Sequence, residues 1–237
     1  MKTLAIILGI NGDLGSAITT VLLKEHDFTI LGVDQQTVSK HQKITYFPCD
    51  LAEKEQIFST LNTIKFSDYQ RIIFISTVGL FGEPTFTDDG FNEKDFCKSV
   101  EVNLLGVCNF ISGSIARCLK DKVPEIRVVI VGSTAAQVGS LNLGYGVAKA
   151  GLNGFVRSIS KSLAARGVVC IGVNPGIFES SMSKSVSKDR QNRAIGATHI
   201  KRIGGLDEVS KFVVQIAVEA PAYLTGSIIP LNGGQYS

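Results

Sequence analysis

The sequence predicts an α/β fold: a doubly wound parallel sheet in three layers, α/β/α, formed as one domain over residues 1–237. Three observations predict it. Short apolar runs alternate with helical stretches along the whole chain. Several runs are apolar throughout, as strands are when helices cover both faces of their sheet. No linker, low-complexity tract or repeat interrupts this order, and 237 residues suit one large domain with a substantial core.

The candidate strands, in order, are residues 4–8, 29–33, 44–47, 72–75, 128–131, 168–173 and 228–231, and candidate helices lie near 14–24, 54–64, 94–119, 145–165 and 207–218. The opening MKTLAIILGI has one Lys and an apolar run. That run stops at Asn11-Gly12-Asp13 with no small-residue cleavage pattern, so a buried first strand is expected rather than a leader. No segment is expected to approach transmembrane length, and no membrane partner is expected. Ser180 to Lys201 is the most polar unassigned stretch. It sets Lys184, Lys188, Arg190, Arg193 and Lys201 against the lone acid Asp189. It reads as a solvated surface helix or loop, or as a basic lid near 180–203.

Apolar residues make up 44% of the chain and charged ones 19%, an ordinary globular balance. A net charge of +3 and a pI of about 8.6 are too mild to imply nucleic acid. Cys49, Cys97, Cys108, Cys118 and Cys170 are odd in number and irregular in spacing, which predicts buried thiols in a reduced, cytoplasmic chain. No Cys/His cluster has metal-ligand spacing, and no metal is expected.

Three constellations carry chemistry. The first is LGINGDLGSAI, running from Gly9 through Asn11, Gly12, Asp13 and Leu14 to Gly15, between an apolar strand and an amphipathic helix. Glycines there let the chain turn tightly and approach a pyrophosphate, which the helix N-terminus then attracts. Asp13 is expected to shape the turn by accepting from free backbone N–H groups, its carboxylate directed away from the phosphates.

The second is Asp34, which ends the second strand 19 residues beyond Gly15. A carboxylate there can bind the ribose hydroxyls of NAD and repel the 2′-phosphate of NADP. Gln35 and Gln36 follow it, with no Lys or Arg. Asp50 follows the third strand and can cap the helix beginning near Ala52, reach an adenine edge, or both. The third constellation is Ser133 with Tyr145 and Lys149. Positions i and i+4 share a helix face, so the Lys149 ammonium is expected to lower the Tyr145 pKa and ready the phenol for proton transfer. The Ser133 hydroxyl can hold the reacting oxygen.

Taken in order, these motifs resemble the short-chain dehydrogenase/reductase family in its compact form of about 250 residues. The resemblance covers essentially the whole chain. It is carried by the turn at Gly9–Gly15, Asp50-Leu51, EVNLLG from Glu101, GSTAAQ with Ser133, YGVAKAG from Tyr145, NPGIFESSM from Asn174, RIGGLDEV from Arg202 and LTGSIIPLNGG from Leu224. It implies a Rossmann-type sheet and a dinucleotide cofactor. It implies Tyr145 as general acid/base, Lys149 on the nicotinamide ribose, Ser133 orienting the reacting oxygen, and Asn103 supporting a water in a proton relay. It further implies that Pro175, Gly176, Phe178 and Ser180 hold the nicotinamide end, with Ser180 in place of the usual threonine. The long helices around Asn103 and Tyr145 would pair copies into a homodimer or homotetramer.

Three departures stand out. The glycine pattern is G-x-x-G-x-x-G, with Asp13 where the compact form has its second glycine. Ser76-Thr77-Val78-Gly79 replaces Asn-Asn-Ala-Gly, so this part of the cofactor site keeps Gly79 but loses amide side chains. Ser133 stands 12 residues before Tyr145, one fewer than usual, which leaves Thr134 as an alternative. The functional expectation is an NAD(H)-dependent oxidoreductase, with NADP disfavoured by Asp34, acting on a secondary alcohol or ketone of a polar small molecule, an anionic one if the basic stretch after Ser180 is a lid rather than a solubilising surface. The runner-up is a 3-oxoacyl thioester reductase. A dinucleotide sensor without turnover is the reading from a different class.

Overall fold

The structure, a computed structural model, describes residues 1–35, 44–88, 90–185 and 187–236. Gln36 therefore lies outside the described residues. The strands are β1 (Thr3–Leu8), β2 (Thr29–Asp34), β3 (Thr45–Pro48), β4 (Arg71–Ser76), β5 (Phe86–Thr87), β6 (Gly90–Phe91), β7 (Glu125–Val131), β8 (Val168–Pro175) and β9 (Ile228–Leu231). The helices are α1 (Asp13–Glu25), α2 (Lys54–Thr63), α3 (Glu93–Val100), α4 (Val107–Lys120), α5 (Ala135–Val138), α6 (Leu143–Leu163), α7 (Ser181–Ser185), α8 (Lys188–Ala197) and α9 (Leu206–Glu219).

Seven strands form one sheet in the order β3-β2-β1-β4-β7-β8-β9, every pairing parallel. All seven expected strands are present. The central ones are apolar because both faces are covered. Along β1, Leu4, Ile6 and Leu8 join the core that also holds Ile57, Phe110 and Leu152 of α2, α4 and α6. Ala5 and Ile7 point the other way, to Ile18 of α1 and Val213 of α9. Alternation thus survives as direction rather than polarity. The chain leaves β1 toward β2 and later returns to β1's other side with β4. That switch point opens a crevice at the strand ends, where such sheets bind ligands.

The helix expected at 94–119 runs as α3, a π-helical segment (Glu101–Gly106) and α4. Its 28 residues, Glu93–Lys120, are long and apolar enough to match a membrane span by length and composition. The expectation that no segment approaches that length is corrected. The apolarity has a core function, since Val107, Phe110, Ile111 and Ile115 pack against the sheet. The polar stretch after Ser180 folds into α7 and α8.

Candidate active site

The glycine turn is built by close backbone approach. Gly9 takes a positive φ of 79° and donates its N–H to the Val33 carbonyl at 2.9 Å. A Cβ on Gly15 would stand 2.8 Å from the Ile10 Cα and closer still to the Gly9 carbonyl oxygen, so only glycine fits. Gly12 is the N-cap of α1, which aims the helix's N-terminal N–H groups into the crevice. This is a fitting cradle for a dinucleotide's pyrophosphate.

Asp13 does not take the N-cap position, as Gly12 does. The Asp13 carboxylate accepts the N–H of Ser181 at 2.6 Å. It serves the first residue of α7 and ties the turn to the stretch expected as a lid.

Asp34 accepts the Asn11 N–H at 2.9 Å, which fixes the end of β2 to the turn. The Asp50 carboxylate accepts the Ala52 N–H at 2.9 Å and the Gln35 amide at 2.7 Å. The capping expectation is corrected: α2 begins at Lys54 with Glu53 as its N-cap and no side-chain cap bond, so Asp50 shapes the turn ahead of the helix instead. Leu51 packs against the π-helical segment, where a Cβ on Gly106 would come within 2.7 Å of its Cβ.

The altered segment after β4 is held without amide side chains. The Thr77 hydroxyl lies 3.0 and 3.1 Å from the Leu8 and Gly9 carbonyls. Val78 offers its carbonyl to Lys149 at 2.8 Å. Asn103 clamps Leu80: its amide donates to the Leu80 carbonyl at 2.8 Å and its oxygen accepts the Leu80 N–H at 2.6 Å. A further donation to Ser99 at 3.0 Å engages the second amide proton. The side chain expected to support a proton-relay water is thus occupied in holding this loop.

A cavity of about 890 Å³ lies beside these elements. Its wall brings together Gly12, Asp13, Leu14 and Gly15 of the turn, Thr77 and Gly79, Ser133, Tyr145 and Lys149, and Pro175, Gly176, Phe178 and Ser180. Gly9, Asn11, Asp34, Asp50, Leu51, Val78 and Asn103 stand outside that wall and shape it from behind or flank it. Gly176 reaches the wall by close packing, since a Cβ there would come 3.0 Å from the Asn232 Cα. The Ser180 hydroxyl accepts the Ser183 N–H at 3.1 Å and so caps α7.

Tyr145 is buried, with its ring edge-on to Phe81 at 5.1 Å between centroids. Asn142 caps the helix that carries it, accepting the Tyr145 N–H at 2.8 Å. The Asn142 amide in turn donates to the Glu83 carbonyl and the Asp95 carboxylate, both at 2.9 Å. Sequence reasoning missed Asn142; an asparagine just before an apolar-periodic run is the signal that could have found it. It missed Phe81 too, and nothing in the sequence around that residue points to the site.

Burial pushes the Tyr145 phenol above its ordinary value, opposed by a hydrogen bond with Ser133. That contact pairs Ser133 with the phenol, although Thr134 also lines the cavity. The expectation of a phenol lowered by Lys149 is corrected. The Lys149 ammonium lies 5.6 Å from the Tyr145 ring centroid and donates to the Val78 and Val131 carbonyls at 2.8 and 3.0 Å. It is desolvated itself, and burial pushes its pKa down to about 8.

A family model described as Enoyl-(Acyl carrier protein) reductase matches residues 20–236. A 3-oxoacyl-(acyl-carrier-protein) reductase of Buchnera aphidicola subsp. Baizongia pistaciae is 25% identical over 244 residues, covering 99% of this chain and 98% of the relative. The reductase of the same name from Escherichia coli strain K12 is 32% identical over 145 residues, 61% of this chain and 59% of its own. Among solved structures, a short chain dehydrogenase family protein from Francisella tularensis superposes with a TM-score of 0.83 at 19% identity, covering 99% of both chains. A short-chain dehydrogenase/reductase (SDR:Glucose/ribitol dehydrogenase) from Brucella melitensis gives 0.82 at 21% identity, covering 100% of this chain and 97% of its own. These two likenesses show the fold. The family match runs from within α1 to the end of the described residues and takes in the helix of Tyr145 and Lys149, so the chain belongs to the short-chain dehydrogenase/reductase family of nicotinamide-dependent oxidoreductases.

Proposed function

We propose that this protein interconverts a secondary alcohol and a ketone on a polar small molecule, with NAD(H) preferred over NADP(H). One observation carries the reading: Ser133, Tyr145 and Lys149 share a single cavity wall with the glycine turn. The nicotinamide group, when bound, gives or takes the hydride. The chain's own residues do the rest. Tyr145 holds its proton through neutral pH because burial disfavours the phenolate, so it can donate to a carbonyl oxygen during reduction. Ser133, bonded to the same phenol, orients that oxygen. Lys149, Pro175, Gly176, Phe178 and Ser180, which line the cavity, would hold the nicotinamide end, and Phe81 helps exclude water from one side of the phenol. Tyr145→Phe tests this role. It keeps NADH binding and abolishes reduction; a variant that reduces a ketone as fast as the wild type refutes the mechanism.

Asp34 supports the NAD preference, because its carboxylate at the end of β2 opposes a 2′-phosphate by like charge. Steady-state kinetics with NADH and NADPH, for the wild type and Asp34→Ala, check it. The variant gains on NADPH, while a wild type already preferring NADPH overturns the assignment. The second reading, reduction of 3-oxoacyl thioesters, draws on the names of the Buchnera and E. coli relatives. Leu105 and Val147, 51% and 46% exposed on the two long helices, support assembly into a homodimer or homotetramer; light scattering measures that mass directly.

A further inference from the structure

Lys184, Lys188, Arg190, Arg193 and Lys201 make the segment after Ser180 basic, yet they do not point alike. Arg190 and Arg193 of α8 reach the wall of the cavity that holds Tyr145. The three lysines are not part of that wall. The two arginines are one turn apart, i and i+3, and therefore share a helix face. A purely solubilising surface has no reason to place two arginines on the wall of the cavity that holds Tyr145 and to leave the lysines off it.

Neither arginine is neutralised from within. Among the described residues no ion pair within 4.0 Å involves Arg190, Arg193 or their neighbour Asp189. The acid on the same cavity wall, Asp13, already accepts the Ser181 N–H. The arginines thus have donors to offer a ligand, and guanidinium groups match the planar or tetrahedral oxygens of carboxylate and phosphate.

We propose that Arg190 and Arg193 bind an oxyanionic group, carboxylate or phosphate, carried by the substrate itself and placed in the same cavity as its reacting carbonyl. The assignment rests on the oxidoreductase reading above and narrows it to keto acids, hydroxy acids or phosphorylated ketones. Arg190 and Arg193 are specificity residues that anchor the end of the substrate away from Tyr145. Neutral substrates of the same shape lack that anchor.

Two measurements test it separately from the reaction. The first is calorimetric titration of inorganic phosphate, and of acetoacetate, into NADH-saturated protein. Binding should weaken about 10-fold or more in R190Q/R193Q, since charge-assisted contacts of this kind are worth one to two decades of affinity. It should be unchanged in the lysine control K184Q/K201Q. R190K/R193K should recover part of the loss. The second is reduction of acetoacetate against its neutral ethyl ester. The acid-to-ester ratio of kcat/KM should fall about 10- to 100-fold in R190Q/R193Q, through KM rather than kcat.

Equal phosphate binding in all variants overturns the proposal, as does a loss confined to NADH affinity, which would put the arginines on the cofactor's pyrophosphate. An ester reduced as well as the acid also overturns it, while leaving the oxidoreductase reading intact. Arginine-dependent anion binding with neither ketone reduced keeps the anion site and counts against the proposed reaction instead.

Discussion

Lys149 can be tested by its effect on stability as well as on rate. Its ammonium sits in the core, 2% exposed, and its pKa falls from the ordinary 10.5 to about 8 because burial strips its water. One pKa unit corresponds to about 1.4 kcal/mol, so the difference amounts to roughly 3 kcal/mol of folding free energy. In the unfolded chain this lysine keeps its proton up to about pH 10.5, whereas in the fold it releases it above about pH 8. Between those values the unfolded state binds more protons, and stability rises with pH. Below pH 8 the full penalty is present, and above 10.5 it is gone. Lys149→Met removes the titration but leaves the Val78 and Val131 carbonyls without their donor, at about 1–3 kcal/mol each. At pH 7 the two effects oppose, so the variant's stability lies within a few kcal/mol of the wild type's. Across pH 8 to 10.5 the wild type should gain roughly 3 kcal/mol relative to Lys149→Met, read by urea denaturation of cofactor-free protein. Other groups titrating in this range cancel in the difference. A difference that stays flat with pH refutes the reasoning, because it means the buried ammonium binds its proton as tightly as a free one.

The remaining predictions concern the turn, the catalytic helix and the direction of reaction. Gly15→Ala forces a methyl against backbone atoms of Gly9 and Ile10, which cannot swing aside as a side chain would; stability should drop by about 1–3 kcal/mol and NADH affinity with it, and an unchanged melting curve and Kd would contradict so close an approach of the two backbones. Asn142→Ala removes the cap beneath Tyr145 and leaves the Glu83 carbonyl and Asp95 carboxylate without a partner amide. It should cost about 1–2 kcal/mol and lower kcat more than NADH affinity; full activity with lowered stability would show that the cap does not position the phenol. Because burial raises the Tyr145 pKa, ketone reduction should stay level through neutral pH while alcohol oxidation climbs with pH, up to about tenfold per unit. An oxidation rate that levels off below about pH 8 would place the phenol's titration lower than its burial allows.

What the sequence disclosed follows from how each element earns its place. The central strands were readable because a strand covered on both faces must be largely apolar along its length, as in β1, β4 and β8, where every residue is buried, whereas the edge strands β3 and β9 bury none fully. Helix α8, KDRQNRAIGA, was readable only as a surface helix or loop, because it buries no residue fully and so has no apolar stripe to mark a helical period. The π-helical turn at Glu101–Gly106 was unreadable for another reason: it changes the hydrogen-bonding partner by one residue without changing composition. In the site, Tyr145 and Lys149 were legible as a spacing on a helix. Their protonation was not, because the ammonium's direction depends on two carbonyls supplied by different strand ends. Spacing said that the two groups share a face. It could not say that both would be desolvated.

The segment Ser76-Thr77-Val78-Gly79 shows how a site can keep its shape while its side chains change. In sequence it looks like a loss, since the amide groups expected after the fourth strand are gone. In space, the loop is held at every step by groups from elsewhere: Thr77 through its hydroxyl to the end of β1 and to Gly9, Val78 through its carbonyl to Lys149, and Leu80 through both backbone groups to Asn103. Two of the three anchors are backbone atoms, so they do not use the side chains of Val78, which packs on the core, or Leu80, whereas they do require Lys149 and Asn103. The third anchor also touches the cofactor turn, because Gly9 is the residue whose positive φ opens it. The loop, the turn and the helices bearing Asn103 and Lys149 therefore form one connected hydrogen-bonded frame, and displacement of any member moves the others. The departures at Asp13 and at Thr77-Val78 fit together on this view. Each lies on the cavity wall while its side chain holds the frame, Asp13 by engaging α7 and Thr77 by engaging Gly9.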